Sequence, residues 1–375
     1  MKFDTVIIGG GLAGLSAGLA LQKHKIDSAI VSAGQSALYF FSGSFESMQE
    51  PPQAMAEIFR EAGISLHYQS GWRLMPMGKF ESAACSIDDV SLLPSPKIGR
   101  KALIVSFVGY YDFYTGFLAE GLEKQGVQCR IQMLDLQKLS AQQQSPHEMR
   151  TMQIARTMDR IWESVVREIR VVMSDEDVVV LPQVFGLKDT SVPGRIREGI
   201  PAQVVFVGTF PPSVAGIRTH MQLKRRYETL GGTFLAGDSA VQAHVHDGIV
   251  HSVATQNLGS HFLEARHFIL ASGAYFSKGL KSTPEKIYEP VFGLDVVQGA
   301  QRSDWYNPSF SGEQPYLGYG VATDEALHPL RGGKPLQNLF ATGAILGATR
   351  PELGSGGGLA VRSALLAAEE IIKSR

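Results

Sequence analysis

The chain has 375 residues, 44% hydrophobic and 19% charged, with a formal net charge of −1. That length suits about two domains. A near-neutral balance excludes a broad electrostatic footprint for nucleic acid or an anionic membrane surface. The two cysteines, Cys85 and Cys129, lie far apart and outside any CxxC spacing. Neither a disulfide framework nor a metal centre made by this chain alone is expected, and no metal site is assigned. No stretch reaches the ~18–20 apolar residues of a membrane span. The glycine-rich start lacks a signal-peptide pattern, so the expected location is cytoplasmic, with any membrane association made through a partner.

Residues 3–8 predict a short buried strand. Gly9, Gly11 and Gly14 then form G-x-G-x-x-G, and a helix of small residues and leucines opens at Leu12 and Ala13. Residues 27–31 predict a second strand, which completes a β-α-β unit. Each glycine has a physical task there. Gly9 permits the tight turn, Gly11 lets a phosphate approach bare backbone, and Gly14 lets helix pack closely on strand. The helix start presents unpaired N–H groups and a partial positive charge to that phosphate. The second strand ends at Ser32, where such units often carry the carboxylate that holds an adenosine ribose. Both a dinucleotide and a mononucleotide flavin therefore remain open.

Ser42, Gly43 and Ser44 follow as a loop that reads either as a flavin contact or as a hairpin turn. Strands at 101–108, 127–134, 178–181 and 203–207 alternate with helices at 112–125, 146–170 and 213–230. This alternation predicts a second parallel α/β unit, without a glycine fingerprint. Ser213 is a good N-cap. Arg218, one turn on, reads either as a forked phosphate donor or as a structural arginine. Residues 233–253 predict a small antiparallel meander with turns at Gly237 and Gly248. A strand ending near Ala271 leads into a turn at Ser272 and Gly273. His328 is a candidate proton acceptor, although Pro329 beside it suggests a turn. A strand at 339–341, a turn at Gly343, a glycine loop containing Gly356, Gly357 and Gly358, and an alanine-rich helix at 359–372 close the chain. This second glycine-loop helix start is suited to the pyrimidine edge of a flavin. Arg350, near that loop, is a candidate substrate clamp.

The early G-x-G-x-x-G, the late ASG turn and LFATGA with GSGGG together resemble the two-dinucleotide-binding-domain flavoproteins. The strings GQSALYFFSGSFE, TFPPSVAGIR, EPVFGLDV and YGVATDEALHP extend this to a closer, nearly full-length resemblance to the B-subunit family of anaerobic glycerol-3-phosphate dehydrogenase. The resemblance implies FMN, with FAD as the alternative. It implies oxidation of sn-glycerol 3-phosphate, a small phosphorylated polyol, to dihydroxyacetone phosphate with electrons passed to quinone. It also implies a second flavoprotein subunit and an iron–sulfur membrane-anchor subunit as partners.

The expected architecture is α/β. A Rossmann-like flavin-binding domain occupies residues 1–97 and 232–375, and a second parallel α/β domain is inserted at 98–231. Two rival readings stay open. One is a non-catalytic flavin-fold scaffold or electron relay whose partner oxidises the substrate. The other is a nicotinamide-only oxidoreductase, which leaves the C-terminal glycine loop without a role.

Overall fold

The computed structural model describes residues 1–34, 36–46, 53–87, 90, 92–135, 149–349 and 356–375. In chain order the elements that position the site are β1 (Lys2–Ile8), α1 (Leu12–Lys23), β2 (Ser28–Ser32) and α2 (Gln53–Glu61). Then come β3 (Gly71–Leu74), β4 (Phe80–Ala83), β5 (Lys101–Phe107), α3 (Thr115–Glu123), β6 (Gln128–Leu134) and α4 (Thr151–Val172). These lead to β7 (Val178–Pro182), α5 (Val192–Gly199), β8 (Gln203–Val207), α6 (Val214–Thr229), β9 (Thr233–Ala236), β10 (Ala240–His246) and β11 (Ile249–Thr255). The last are β12 (Leu263–Leu270), β13 (Leu339–Ala341) and α7 (Gly356–Lys373).

The chain forms two compact units. The first comprises Met1–Ala37, Ser47–Gly63 and His220–Arg375; the second comprises Leu38–Glu46 and Ile64–Thr219. Residues 64–97 thus cluster with the α/β unit that follows them.

The first unit holds a seven-stranded mixed sheet in the order β9-β2-β1-β12-β11-β10, with β13 paired to β12. β1, β2, β9, β12 and β13 run parallel, while β10 and β11 form an antiparallel extension. Val6 and Ile7 are fully buried, as a central parallel strand covered on both faces requires. The antiparallel part starts later than expected. Thr233–Ala236 pairs in parallel with β2, from Thr233 opposite Ala29 to Ala236 opposite Ser32, and only Ala240 onward turns back. The reason is packing: the Phe234 ring lies beside Gly10 and His220, over the first βα turn.

The second unit is a four-stranded parallel sheet in the order β8-β7-β5-β6. Its core joins Leu103, Val105, Val180 and Leu181 of the sheet to Ile154, Met158 and Ile169 of α4. α3 starts at Thr115 and not at Asp112. Asp112 is buried, and its carboxylate accepts hydrogen bonds from the Thr151 N–H at 2.8 Å and from Arg150 at 2.9 Å, so it anchors the start of α4. The proline expected to open that helix, Pro146, lies outside the described residues.

The α/β class, the Rossmann-like sheet with an antiparallel extension and the separate parallel sheet match the sequence expectation. Among the described residues no helix is long and apolar enough to cross a membrane.

Candidate functional site: a cofactor cradle at the strand ends

Five parallel strands of the first unit end along one edge of the sheet. The register sets Ile8 opposite both Val31 and Leu270, and Leu270 opposite Ala341. Backbone hydrogen bonds continue this stitching past the strand ends: Gly9 N–H to Val31 O at 2.8 Å, Ala271 N–H to Ile8 O at 2.8 Å, and Thr342 N–H to Leu270 O at 2.9 Å. Gly9, Ser32, Ala271, Ser272, Gly273 and Gly343 are therefore brought together at the carboxyl edge. That edge is where open parallel sheets bind ligands.

The glycine loop is shaped by close contact. A Cβ on Gly9, whose φ is +121°, would lie 2.1 Å from Ala271 O. A Cβ on Gly14 would lie 1.9 Å from Gly9 O. Both positions are closed to any side chain by backbone. Gly11 is different. Its backbone is extended, and the nearest atom to an added Cβ is Ser36 Cβ at 3.6 Å. The space over Gly11 is open, and α1 has no side-chain cap. The first intrahelical bond in α1 is Leu15 N–H to Gly11 O, so the N–H groups of Leu12 and Ala13 are among the orphan donors of a helix start. An uncapped helix start of this kind can receive a phosphate group.

The second glycine run joins the same place. Gly343, with φ +76°, has Ala13 Cβ of α1 and Ala360 of α7 within van der Waals reach of its own Cβ direction, at 3.0 and 3.8 Å. Its N–H donates to Ser363 Oγ at 2.9 Å, and Ser363 in turn donates to Leu359 O at 2.7 Å. Gly356, Gly357 and Gly358 form the first turn of α7, which starts three residues earlier than expected. Ser272 Oγ and Thr342 Oγ1, at two neighbouring strand ends, are buried with no hydrogen-bond partner among the described residues. The uncapped start of α1 and the unused hydroxyls at one edge fit a nucleotide cofactor. The ribose-holding carboxylate is absent: Ser32 ends β2. The nearby Asp238 is committed elsewhere, accepting from Ser239 N–H, Thr255 Oγ1 and Asn257 N–H.

Ser42, Gly43 and Ser44 belong to the second unit. There Ser42 and Ser44 share a hydroxyl hydrogen bond at 3.0 Å, and Gly43 O accepts from Ile87 N–H at 2.9 Å. Arg218 is also in the second unit, 3% exposed, and its Nη1 donates to Gly186 O at 2.5 Å. It ties α6 to the turn after β7. Ser213 caps α6 as expected, accepting from Gly216 N–H at 3.1 Å. His328 bonds through Nδ1 to Leu339 O at 3.0 Å and packs on Phe340. It therefore sits at the first residue of β13, whereas the cofactor edge is at the last. Asp324 caps this turn by accepting from Ala326 and His328 N–H groups. Arg350 lies outside the described residues. Sequence reasoning missed Ser363, whose signal was a lone hydroxyl on the small-residue face of the last helix. It also missed Gly10, whose Cβ would meet Ser32 and the Phe234 ring at 2.6–2.7 Å.

The chain matches a family model described as an FAD binding domain, over residues 4–62 and 53–359. It is 35% identical over 419 residues to the B subunit of anaerobic glycerol-3-phosphate dehydrogenase from Pectobacterium carotovorum, covering 100% of this chain and 99% of that protein. The protein of the same description from Yersinia pseudotuberculosis is 33% identical over 417 residues, covering 99% and 98%. That from Glaesserella parasuis is 33% identical over 425 residues, covering 99% and 100%. The matched model is for FAD; FMN, the cofactor first expected, finds no support in it.

Proposed function

The chain belongs to the B-subunit family of anaerobic glycerol-3-phosphate dehydrogenase, and on that premise we propose that it is the FAD-carrying subunit of a complex that oxidises sn-glycerol 3-phosphate to dihydroxyacetone phosphate and passes the electrons to a quinone. The observation that carries this reading is the open space over Gly11 at an edge shared by two glycine-rich helix starts. Gly11 and the N–H groups of Leu12 and Ala13 hold the diphosphate. Ser32 holds the ribose by a hydroxyl. The first turn of α7 orients its positive end toward the ring system. Bound flavin supplies a two-electron acceptor. A second flavoprotein subunit and an iron–sulfur membrane anchor are the proposed partners, since this chain's two cysteines are too few for a cluster of its own.

A second reading places substrate oxidation on the partner flavoprotein and leaves this chain as an electron relay. It is favoured by the commitment of Arg218 to Gly186 O and by the position of His328. One experiment separates the two. The purified chain is unfolded and its released flavin weighed by mass spectrometry. The intact chain is then mixed anaerobically with glycerol 3-phosphate, alone and with its partners. FAD release with bleaching of the isolated chain places oxidation here. FAD release with bleaching only in the complex supports the relay. A chain that takes up no flavin overturns both.

A further inference from the structure

At the carboxyl edge of the first sheet, the N–H that follows each strand passes to a neighbouring strand: Gly9 to Val31 O, Ala271 to Ile8 O and Thr342 to Leu270 O. One residue beyond Thr342 this pattern stops. Gly343, at φ +76°, donates its N–H to Ser363 Oγ at 2.9 Å. The Ser363 hydroxyl in turn donates to Leu359 O at 2.7 Å, in the first turn of α7. Gly343 is buried and Ser363 is 3% exposed, so the bond between them is shielded from water. A helical serine that bonds back to the carbonyl four residues earlier ordinarily gains nothing for its helix. Here the same oxygen also receives a donor from the sheet edge, one that would otherwise be buried unpaired.

The remaining contacts of α7 are of a different kind. Ala364, Ala367 and Ala368 are buried along it. Ala360 and, from α1, Ala13 stand 3.8 and 3.0 Å from the Cβ direction of Gly343. Apolar packing of this sort is non-directional and does not fix where along its axis a helix comes to rest. Among the described residues no other side chain of α7 hydrogen-bonds outside the helix. The next ties come past its last turn, from Ser374 to His267 at 3.4 Å and from Arg375 to His24 O at 3.3 Å. Ser363 is thus the directional contact nearest the glycine start at Gly356, about two turns along.

We propose that Ser363 is a positioning residue for the flavin: by tying α7 to the turn after β13 it fixes the axial setting of the helix, holds the positive end of the helix against the pyrimidine edge, and so raises the reduction potential of the bound cofactor. This rests on the cofactor assignment made above. Reduced flavin carries the greater negative charge at that edge, so a helix start held close to it favours the reduced form.

The test is the reduction potential of the FAD-loaded full chain, read by equilibration with a reference dye. Ser363→Ala removes the tie. Its flavin should shift toward the oxidised form by about three- to tenfold at fixed dye potential, which is about 15–30 mV for two electrons. Ser363→Cys keeps the size but offers only a weak acceptor, and should shift in the same direction by less. Tyr227→Phe loses a buried hydroxyl hydrogen bond to Ser28 O in the same unit, with no partner shared with Ser363. It should stay within about 1.5-fold of the parent. An unchanged potential in Ser363→Ala, with FAD bound, would overturn the inference. If that chain does not fold, an unchanged potential in Ser363→Cys does the same. A shift in Tyr227→Phe as large as in Ser363→Ala would also overturn it, because lost stability alone would then account for both. A parent chain that binds no flavin would overturn the cofactor assignment and this inference with it.

Discussion

Replacing Gly11 with alanine separates what the glycine loop does for the fold from what it does for a ligand. At Gly11 φ is −82° and ψ −169°, a conformation open to any residue. The added methyl meets nothing closer than Ser36 Cβ at 3.6 Å. The flavin-free Gly11→Ala chain should therefore be slightly more stable than the parent, by about 0.4–1 kcal/mol, because its unfolded state loses freedom. For a unit of roughly 200 residues that is about 2–4 °C in Tm per kcal/mol. Flavin affinity should move the other way. The methyl takes the space that the diphosphate needs, and a loss of at least ~tenfold, about 1.4 kcal/mol, is expected. Gly14→Ala is the control. Its methyl falls 1.9 Å from Gly9 O, so α1 must shift off the sheet, at about 1–3 kcal/mol. The assay is flavin content by absorbance, paired with melting of the flavin-free chains. A Gly11→Ala chain with full flavin content and unchanged affinity would refute the cradle. So would a flavin-free Gly11→Ala chain that melts as low as Gly14→Ala.

Three further outcomes follow from the same coordinates. Tyr227 is fully buried, and its hydroxyl donates to Ser28 O at 2.7 Å within a network that includes Gln22; Tyr227→Phe should lower unfolding stability by about 1–3 kcal/mol, read from the urea midpoint. Burial pushes the imidazoles of His220 and His267 below their ordinary value of 6.5. The unfolded state then binds more protons, so stability is complete above pH 6.5 and declines as pH falls from there toward the depressed values. A His220→Gln, His267→Gln double variant should flatten that part of the stability-against-pH curve. Burial also pushes the thiols of Cys85 and Cys129 up to about 11. Both should resist iodoacetamide at pH 8 in the native chain and react once it is unfolded, as followed by mass spectrometry.

What could be read from the sequence was what is local. Gly9, Gly11 and Gly14 lie between a Val/Ile-rich run and a run of small residues and leucines, and in that context their spacing predicts a strand, a turn open to phosphate and a close-packed helix. The parallel strands of the second unit were legible because each is a short Val/Ile-rich run flanked by a helix. Long-range choices were not. Nothing near Thr233 says that it pairs with Ala29 in parallel instead of opening the meander; Phe234 decides it by covering Gly10, more than 200 residues away in sequence. Arg218 reads in the sequence either as a forked phosphate donor or as a structural arginine, and local spacing does not choose between them. Its Nη1 donates to a carbonyl 32 residues away, a bond no local pattern announces.

The pairing of β1 with β12 has a consequence for how this protein is made. Residues 2–8 leave the ribosome long before their neighbours on one side, residues 263–270, which come more than 250 residues later. At typical elongation rates the nascent strand waits on the order of ten to fifty seconds with an apolar edge unpaired. During synthesis a strand with an unpaired apolar edge is thus also the one that leads into the glycine fingerprint, and the strand ends around it come together only once residues 263–270 and 339–341 have been made.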